Sequence, residues 1–310
     1  MTKRFDIAAM GEGLVEFNQT KSGQPTYLQG FGGDTSNAAI AAARAGARTA
    51  YISAVGADTF GSLLRDLWQF SDVDIQYIAI NKEAYTGLYF VTHAQSGHEF
   101  SYHRAGSAAA LMTLSDAQCQ SIAASKILHL SGISLAISNH AHRQCLRAME
   151  VAKAAGTQIS FDSNLRLKLW SLDAARDAML PVIAQSDIFL PSLEDVTQLS
   201  GLTDPQAIVQ WSHGLGAKTV VLKLGSQGVL SSDGQQCVHI PALPVKAIDA
   251  TGAGDCFGGN LLARICLGDL LPQAVRYANA AAAIAVQSFG AVAPLPKPDA
   301  VYSLLDAYSQ

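Results

Sequence analysis

The chain has 310 residues, 49% of them hydrophobic, and a formal net charge of −4 at pH 7. That length and apolar share suit one large α/β domain, and the mild acidity with no Lys/Arg-rich run argues against a nucleic-acid partner. The five scattered cysteines (Cys119, Cys145, Cys237, Cys256, Cys266) form no Cys-x-x-Cys pair, so they read as reduced cytosolic thiols, neither a disulfide framework nor a zinc site.

The apolar N-terminal run is broken by Asp6, Glu12 and Glu16, and no uncharged stretch is long enough to span a bilayer. The expected location is therefore the cytoplasm, with no membrane partner. Phe5–Met10 is a short apolar run ending at Gly11 and predicts a buried strand. Similar runs recur at Thr49–Val55, Ile127–Leu130, Ile159–Phe161, Ile188–Leu190 and Val220–Leu224. Helical patterns lie between them, at Ser36–Ala45, Phe60–Phe70, Arg143–Ala155, Ala174–Ile183, Val196–Leu199 and Ala207–Leu215. Such alternation predicts a mostly parallel sheet with helices on both faces, binding ligands beyond the carboxyl ends of its strands. Leu14–Phe31 and Ile75–Tyr102 lack helical periodicity and predict extra antiparallel strands standing apart from that sheet.

Several short stretches carry candidate chemistry. Gly32-Gly33-Asp34-Thr35-Ser36-Asn37 precedes an Ala-rich helix; it reads either as a glycine turn with Ser36 or Asp34 as N-cap or as a binding loop. In Tyr102-His103-Arg104, the Tyr and the Arg lie two apart on a strand and face one side. Facing inward, they could stack on and hydrogen-bond a polyol; facing outward, they are an exposed strand with a snorkelling Arg. His140 and His142 form His-Ala-His without a third ligand nearby and read as exposed loop histidines. Asp162-Ser163-Asn164-Leu165-Arg166 follows a buried-type strand, where functional groups collect, and Arg166 could take a carboxylate or phosphate in bidentate fashion. Val221–Gly228 reads as strand, turn and strand, with Gly225 and Gly228 suited to the turn. Asn279 lies in an Ala-rich helical stretch whose most apolar window is Ala278–Val286.

The last stretch is the most specific. Asp249-Ala250-Thr251-Gly252-Ala253-Gly254-Asp255 runs into a helix in which Phe257, Leu261 and Ile265 recur every four residues, with Gly268 as C-cap. Amides of Gly252, Ala253 and Gly254 at a helix N-terminus make an anion site, for phosphate above all. A carboxylate at Asp255 would repel that anion unless it takes the proton of an attacking hydroxyl.

This seven-residue run closely resembles the C-terminal signature of the ribokinase-like (PfkB) sugar kinases, and matches extend from Gly11 to Asn279. The resemblance implies a three-layer α/β sandwich with a mostly parallel central sheet. It implies one kinase domain over residues 1–310, with a small β-sheet lid from about 12–33 and 73–107. It makes Asp255 the catalytic base and Gly252, Ala253 and Gly254 the anion hole. Gly33, Asp34, Tyr89, Tyr102, Arg104, Arg166 and Asp255 would bind the sugar. Asn164, Ser192, Lys223, Gly225, Gly228, Gly252, Gly254 and Asn279 would bind ATP. Mg²⁺ is the expected companion of ATP, with a monovalent cation as a further cofactor. No metal ligand is assigned, because Ser192 and Asp195 stand where the family has Asn-x-x-Glu, with Glu194 beside them. Glu16 stands where many relatives hold a sugar-binding Asp. The lid implies a homo-oligomer.

Within the family, Asp34 with the Tyr102/Arg104 pair resembles the 2-keto-3-deoxygluconate kinases. That implies a transferase moving the γ-phosphoryl of ATP to the 6-hydroxyl of this sugar acid. Another sugar kinase of the same fold, such as fructokinase, is the alternative. A dinucleotide-dependent oxidoreductase is remote, since no acidic strand end follows the glycines by about 20 residues. The chain also has no Gly-x-x-x-x-Gly-Lys-Ser/Thr run.

Overall fold

A computed structural model describes residues 3–94 and 97–308. The strands are β1 (Phe5–Met10), β2 (Leu14–Gln19), β3 (Tyr27–Gly32), β4 (Thr49–Gly56), β5 (Val73–Asp74), β6 (Ile78–Asn81), β7 (Leu88–Ala94) and β8 (Gly97–His103), then β9 (Ser125–Ser131), β10 (Gln158–Asp162), β11 (Ile188–Leu190), β12 (Thr219–Lys223), β13 (Val229–Ser232) and β14 (Cys237–Ile240). The helices are α1 (Asp34–Arg44), α2 (Thr59–Phe70), α3 (Asp116–Ala123), α4 (Gly132–Ala136), α5 (Asn139–Ala154) and α6 (Leu172–Ile183), then α7 (Leu193–Ser200), α8 (Pro205–Leu215), α9 (Ala253–Leu267), α10 (Leu271–Ala285) and α11 (Pro298–Ala307).

The main sheet runs β14-β13-β12-β11-β10-β9-β1-β4-β5, with β6 also on β4. It is parallel from β12 to β5 and antiparallel at β12/β13 and β13/β14. Because successive side chains point to opposite faces, the uniformly apolar strands feed two cores. Ile7 and Ala9 of β1 join the layer of α1, α2, α9, α10 and α11, while Ala8 and Met10 join that of α3 to α8. Trp68 shows how closely the first layer is set: its indole N–H reaches Ser36 Oγ at 2.8 Å, and both residues are buried. A Cβ on Gly13 would stand 2.5 Å from the same indole.

The expected doubly covered sheet is present, and β1, β4, β10 and β11 lie on the apolar runs. Four readings need correction. Residues 73–81 do not belong to the small sheet; β5 and β6 pair in parallel with β4. The small sheet is β3-β2-β7-β8, and it is mixed, since β2 and β7 run parallel. His140 and His142 are helical, in the first turn of α5, where His140 Nε2 lies 3.0 Å from both Met112 O and Thr113 Oγ1. Neither Ser36 nor Asp34 caps α1: the cap is Gly33, at φ 103°, where a Cβ would meet Glu12 O at 2.2 Å. The five cysteines are free. Among the described residues no helix is long and apolar enough to cross a membrane.

The helix starts fall into three kinds, of which α10 and α11, entered through a proline after Leu270 and Lys297, are one. Helices α2 to α8 each begin on a Ser or Asp whose side chain takes an N–H of the first turn. Helices α1 and α9 begin on glycines, Gly33 and Gly252, both at positive φ and with no side-chain cap. Apart from Thr35 N, which Asp34 Oδ1 takes, and Ala253 N, which bonds Ala250 O, their first-turn N–H groups are left without a side-chain cap.

Removing the Trp68 side chain should leave a large hole between α1, α2 and β4. Trp68→Ala is expected to lose about 3–5 kcal/mol in urea denaturation. Ser36→Ala, which leaves the buried indole N–H unpaired, should lose about 1–3 kcal/mol.

Candidate active site

The glycine-capped ends of α1 and α9 meet over the carboxyl ends of the central strands, on the side closed by the small sheet. The turn before α9 is built by Asp249: its Oδ1 accepts from Thr251 N (2.9 Å) and Thr251 Oγ1 (2.6 Å), and its Oδ2 from Gly290 N (2.9 Å). Ala253 N donates to Ala250 O at 3.1 Å. This corrects the expectation of three free amides, since Ala253 closes the turn itself. The amides of Gly252 and Gly254 take no such part. Lys223, at the end of β12, brings its ammonium to 3.5 Å from where a Gly254 Cβ would be. A cation thus stands at the positive end of α9, an arrangement whose charge suits an anion.

Lys223 Nζ also pairs with Asp162 at 2.5 Å, and both side chains are largely buried. Burial pushes the Asp162 carboxyl above its usual range, opposed by Lys223 and reinforced by Asp195. Asp195 Oδ2 accepts from Ser163 Oγ at 2.8 Å, and Ser192 Oγ caps α7 by accepting from Asp195 N at 3.1 Å. Ser192 is therefore engaged as a cap, while Glu194 is exposed. Among the described residues no group of three His, Cys, Asp or Glu side chains converges as a metal cage.

Asp255, half-buried in the first turn of α9, accepts from Asn37 Nδ2 at 2.8 Å through Oδ2. Burial first, and then the charge of Asp34, hold its carboxyl well above the ordinary carboxylate range. Asp34 is itself held: Oδ1 accepts from Thr35 N (2.8 Å) and Oδ2 from Asn164 Nδ2 (3.0 Å). Asn164 sits at φ +31°, a left-handed conformation uncommon for a residue with a Cβ. Expected on the nucleotide side, Asn164 instead spends its amide on the carboxylate assigned to the sugar.

The small sheet contributes one face. Gly30, Glu16, Tyr89 and Tyr102 stand side by side across β3, β2, β7 and β8. Tyr89 donates its hydroxyl to Glu16, and its ring stacks on Tyr102 at 5.5 Å. Burial pushes the Glu16 carboxyl upward. A Cβ on Gly30 or Gly32 would strike Glu16 or Tyr89 at 2.8 or 2.6 Å, so glycine is what lets β3 lie against this pair. Arg104 faces inward but is not free. Its Nε and Nη2 hold Glu12 Oε2 at 2.7 and 2.6 Å, and Ser107 Oγ donates to Glu12 Oε1 at 2.5 Å. Arg166 is exposed, and its charge reaches the Tyr102 phenol.

The remaining nucleotide-side expectations lie together at the other end. Gly225 opens the turn after β12, and Gly228, at φ 93°, passes within 2.2 Å of Ile240 O, measured from where a Cβ would be. Asn279 Nδ2 lies 3.3 Å from Pro241 O and 3.5 Å from Ile240 O. Its donor is therefore used to tie α10 to the segment after β14.

Sequence reasoning missed Glu12, Asn37 and Asp162 as functional groups. For Glu12 the only local signal was an acid flanked by Gly11 and Gly13 at the end of an apolar strand. Removing its charge should strand the Arg104 guanidinium in a buried setting. Glu12→Gln is expected to destabilise the fold by about 3–5 kcal/mol in chemical denaturation. An unchanged midpoint would show that Arg104 swings out to water.

Residues 4–298 match the sequence family described as pfkB family carbohydrate kinase. Fructokinase-1 of Oryza sativa subsp. japonica is 34% identical over 318 residues, covering 97% of this chain and 98% of that protein. A fructokinase with bound ATP from Xylella fastidiosa superposes with a TM-score of 0.90 at 25% identity, covering 98% of this chain and 99% of that one. A Vibrio cholerae O395 fructokinase in a form bound to fructose, ADP and calcium gives 0.85 at 26%, covering 97% and 99%. These relatives are named fructokinases, where the Asp34, Tyr102 and Arg104 pattern had pointed to a 2-keto-3-deoxygluconate kinase. With the family matched over nearly its whole length and the ribokinase-like fold in place, the chain belongs to the pfkB family of carbohydrate kinases.

Proposed function

We propose that this kinase transfers the γ-phosphoryl of ATP to a primary hydroxyl of a neutral six-carbon sugar, with fructose the leading substrate. The observation that carries the reading is the pairing of one base with one anion site. Asp255 stands in the first turn of α9, and the Gly252 and Gly254 amides with Lys223 lie beside it. Asp255 takes the hydroxyl proton as the new oxygen–phosphorus bond forms and the bond to the bridging oxygen of ADP breaks. The amides and the end of α9 hold the charge that spreads over the transferring group. The small sheet, β2, β3, β7 and β8, serves as the lid that excludes water from this step.

Magnesium fits as an ion brought in on the nucleotide. Asp162 and Asp195, near enough to influence one another, would supply the one or two carboxylates such an ion uses. When bound, it would neutralise phosphate charge.

A neutral sugar is favoured by the fructokinase relatives and by the state of Arg104, whose charge is already matched by Glu12. Around the sugar stand Asp34, Glu16 and Asp255, which accept hydroxyl protons well and a substrate carboxylate poorly. Arg166 supports a second reading. It is exposed near Tyr102, has no acidic partner among the described residues, and could bind the acid end of 2-keto-3-deoxygluconate.

ADP release measured over fructose, ribose and 2-keto-3-deoxygluconate separates the two, with the highest kcat/KM expected for fructose. A higher value for the sugar acid, abolished by Arg166→Ala, would establish the second reading. Asp255→Asn should keep its melting temperature and still bind ATP, yet lose at least about 10²–10⁴-fold in kcat. Near-normal turnover would remove Asp255 from the mechanism. Because the Asp255 carboxyl is raised and must be ionised to act, kcat/KM should fall on acidification at a pH above the ordinary carboxylate range.

A further inference from the structure

Asn37 lies one turn into α1 and is 3% exposed. Its Nδ2 donates to Asp255 Oδ2 at 2.8 Å, while its Oδ1 is buried without a hydrogen-bond partner. A buried amide with an unmatched acceptor carries a desolvation penalty, and folding alone gives no reason to keep it. The two helices are brought together for this contact. Residues Ala38, Ala39, Ala41, Ala42 and Ala43 make α1 thin, and all are buried. At the crossing a Cβ on Gly259 would stand 2.2 Å from Ala38 O and 2.8 Å from Ala41 Cβ. Helix α9 can therefore lie against α1 only because residue 259 lacks a side chain.

We propose that Asn37 is a positioning residue for phosphoryl transfer: by holding Asp255 Oδ2 it fixes the carboxylate plane and leaves Oδ1 as the oxygen presented to the sugar hydroxyl. The proposal rests on Asp255 being the base. The groups facing Asp255 are Asp34 on α1, Asp162 at the end of β10, Lys223 at the end of β12 and the Tyr89 phenol from the lid. Burial and Asp34 act against the ionised carboxylate, with Asp162 adding to them, and the Asn37 N–H acts for it. Asn37 therefore does two things through one bond. It aims the base, and it keeps the base available at a lower pH than its surroundings alone would allow. During transfer the hydroxyl proton passes to Asp255 Oδ1, and Asn37 gives up none of its own.

The test uses the full chain with ATP and fructose, or with whichever sugar the substrate screen selects. Asn37→Ala should lower kcat by about 10²-fold, as expected when a reacting group loses its alignment. KM for ATP should stay within about twofold, since Asn37 does not touch the anion site. The acid limb of kcat/KM should move to higher pH, because a hydrogen bond to the ionised form has been removed. Should Asn37→Ala fail to fold, Asn37→Ser carries the pH measurement. An acid limb that stays in place while KM for the sugar rises would overturn the proposal and make Asn37 only a sugar ligand. Asp255→Asn run in parallel separates the two ideas. If it retains turnover, the reading of Asp255 as base fails. If it is inactive and the Asn37 variants keep the parent pH profile, the positioning role alone fails.

Discussion

The structure depends on the close crossing of α1 and α9. Two helices can approach backbone to backbone only where side chains are absent, and here Gly259 and the alanines of α1 supply that absence. The crossing brings two uncapped helix N-termini to one place. Each carries partial positive charge and unsatisfied N–H groups, and each bears a carboxylate in its first turn, Asp34 on one and Asp255 on the other. The dipoles favour both carboxylates, while the carboxylates disfavour each other. Burial first, and then the charge of Asp34, raise the Asp255 carboxyl above the ordinary carboxylate range. A capped helix in either position would have satisfied its own amides and had nothing to offer a phosphate.

The lid is held by carboxylates at its crossing points. Glu12, where the chain leaves β1 for the lid, takes Arg104 and Ser107 where the chain returns from β8. Asp58 caps α2 by accepting from Gly61 N and also takes Thr86 N and Thr86 Oγ1, two residues before β7 begins. Both sites are multiply hydrogen-bonded, the condition under which a buried carboxylate is tolerated. Between these ties, among the described residues, Leu14, Tyr89 and Val91 form a small buried cluster of their own, Val15 joins the main core with Phe17, Phe31 and Leu88 packed on it, and Leu28, Phe100 and Tyr102 remain exposed.

Much of this was legible in the sequence, and the boundary of what was legible is physical. Strands buried on both faces read as short apolar runs, so β1, β4, β10 and β11 were evident, as was the glycine-led start of α9. Strands β5 and β6 were assigned to the wrong sheet because Ala79 and Ile80 are exposed edge residues, and nothing local states which neighbour they pair with. The start of α1 was placed late because Asp34 and Ser36 read as cap residues, whereas the cap is the glycine before them. Arg104 read as a free cation because its partner Glu12 is 92 residues away. Asn37 and Asp255 are 218 residues apart. Pattern reveals elements; pairings between distant polar side chains are decided by packing.

Charge is distributed along the cleft in a way that gives the chemistry a direction. At the sugar end Asp34, Glu16 and Asp255 are acids in partly or fully buried settings, with Glu12 cancelled by Arg104. At the phosphate end Lys223 stands against the amides of α9, and its own partner Asp162 is buried beneath it. In the proposed mechanism a hydroxyl at the acid end donates hydrogen bonds to these acceptors and passes its proton to Asp255. A phosphoryl group at the other end has its negative charge stabilised by Lys223 and the helix amides. Asp255 belongs to both ends in this mechanism, a carboxylate in the first turn of the helix whose N-terminus would face the anion. In that mechanism its position joins proton removal to phosphoryl transfer, and the position is set by the small residues where α1 and α9 cross.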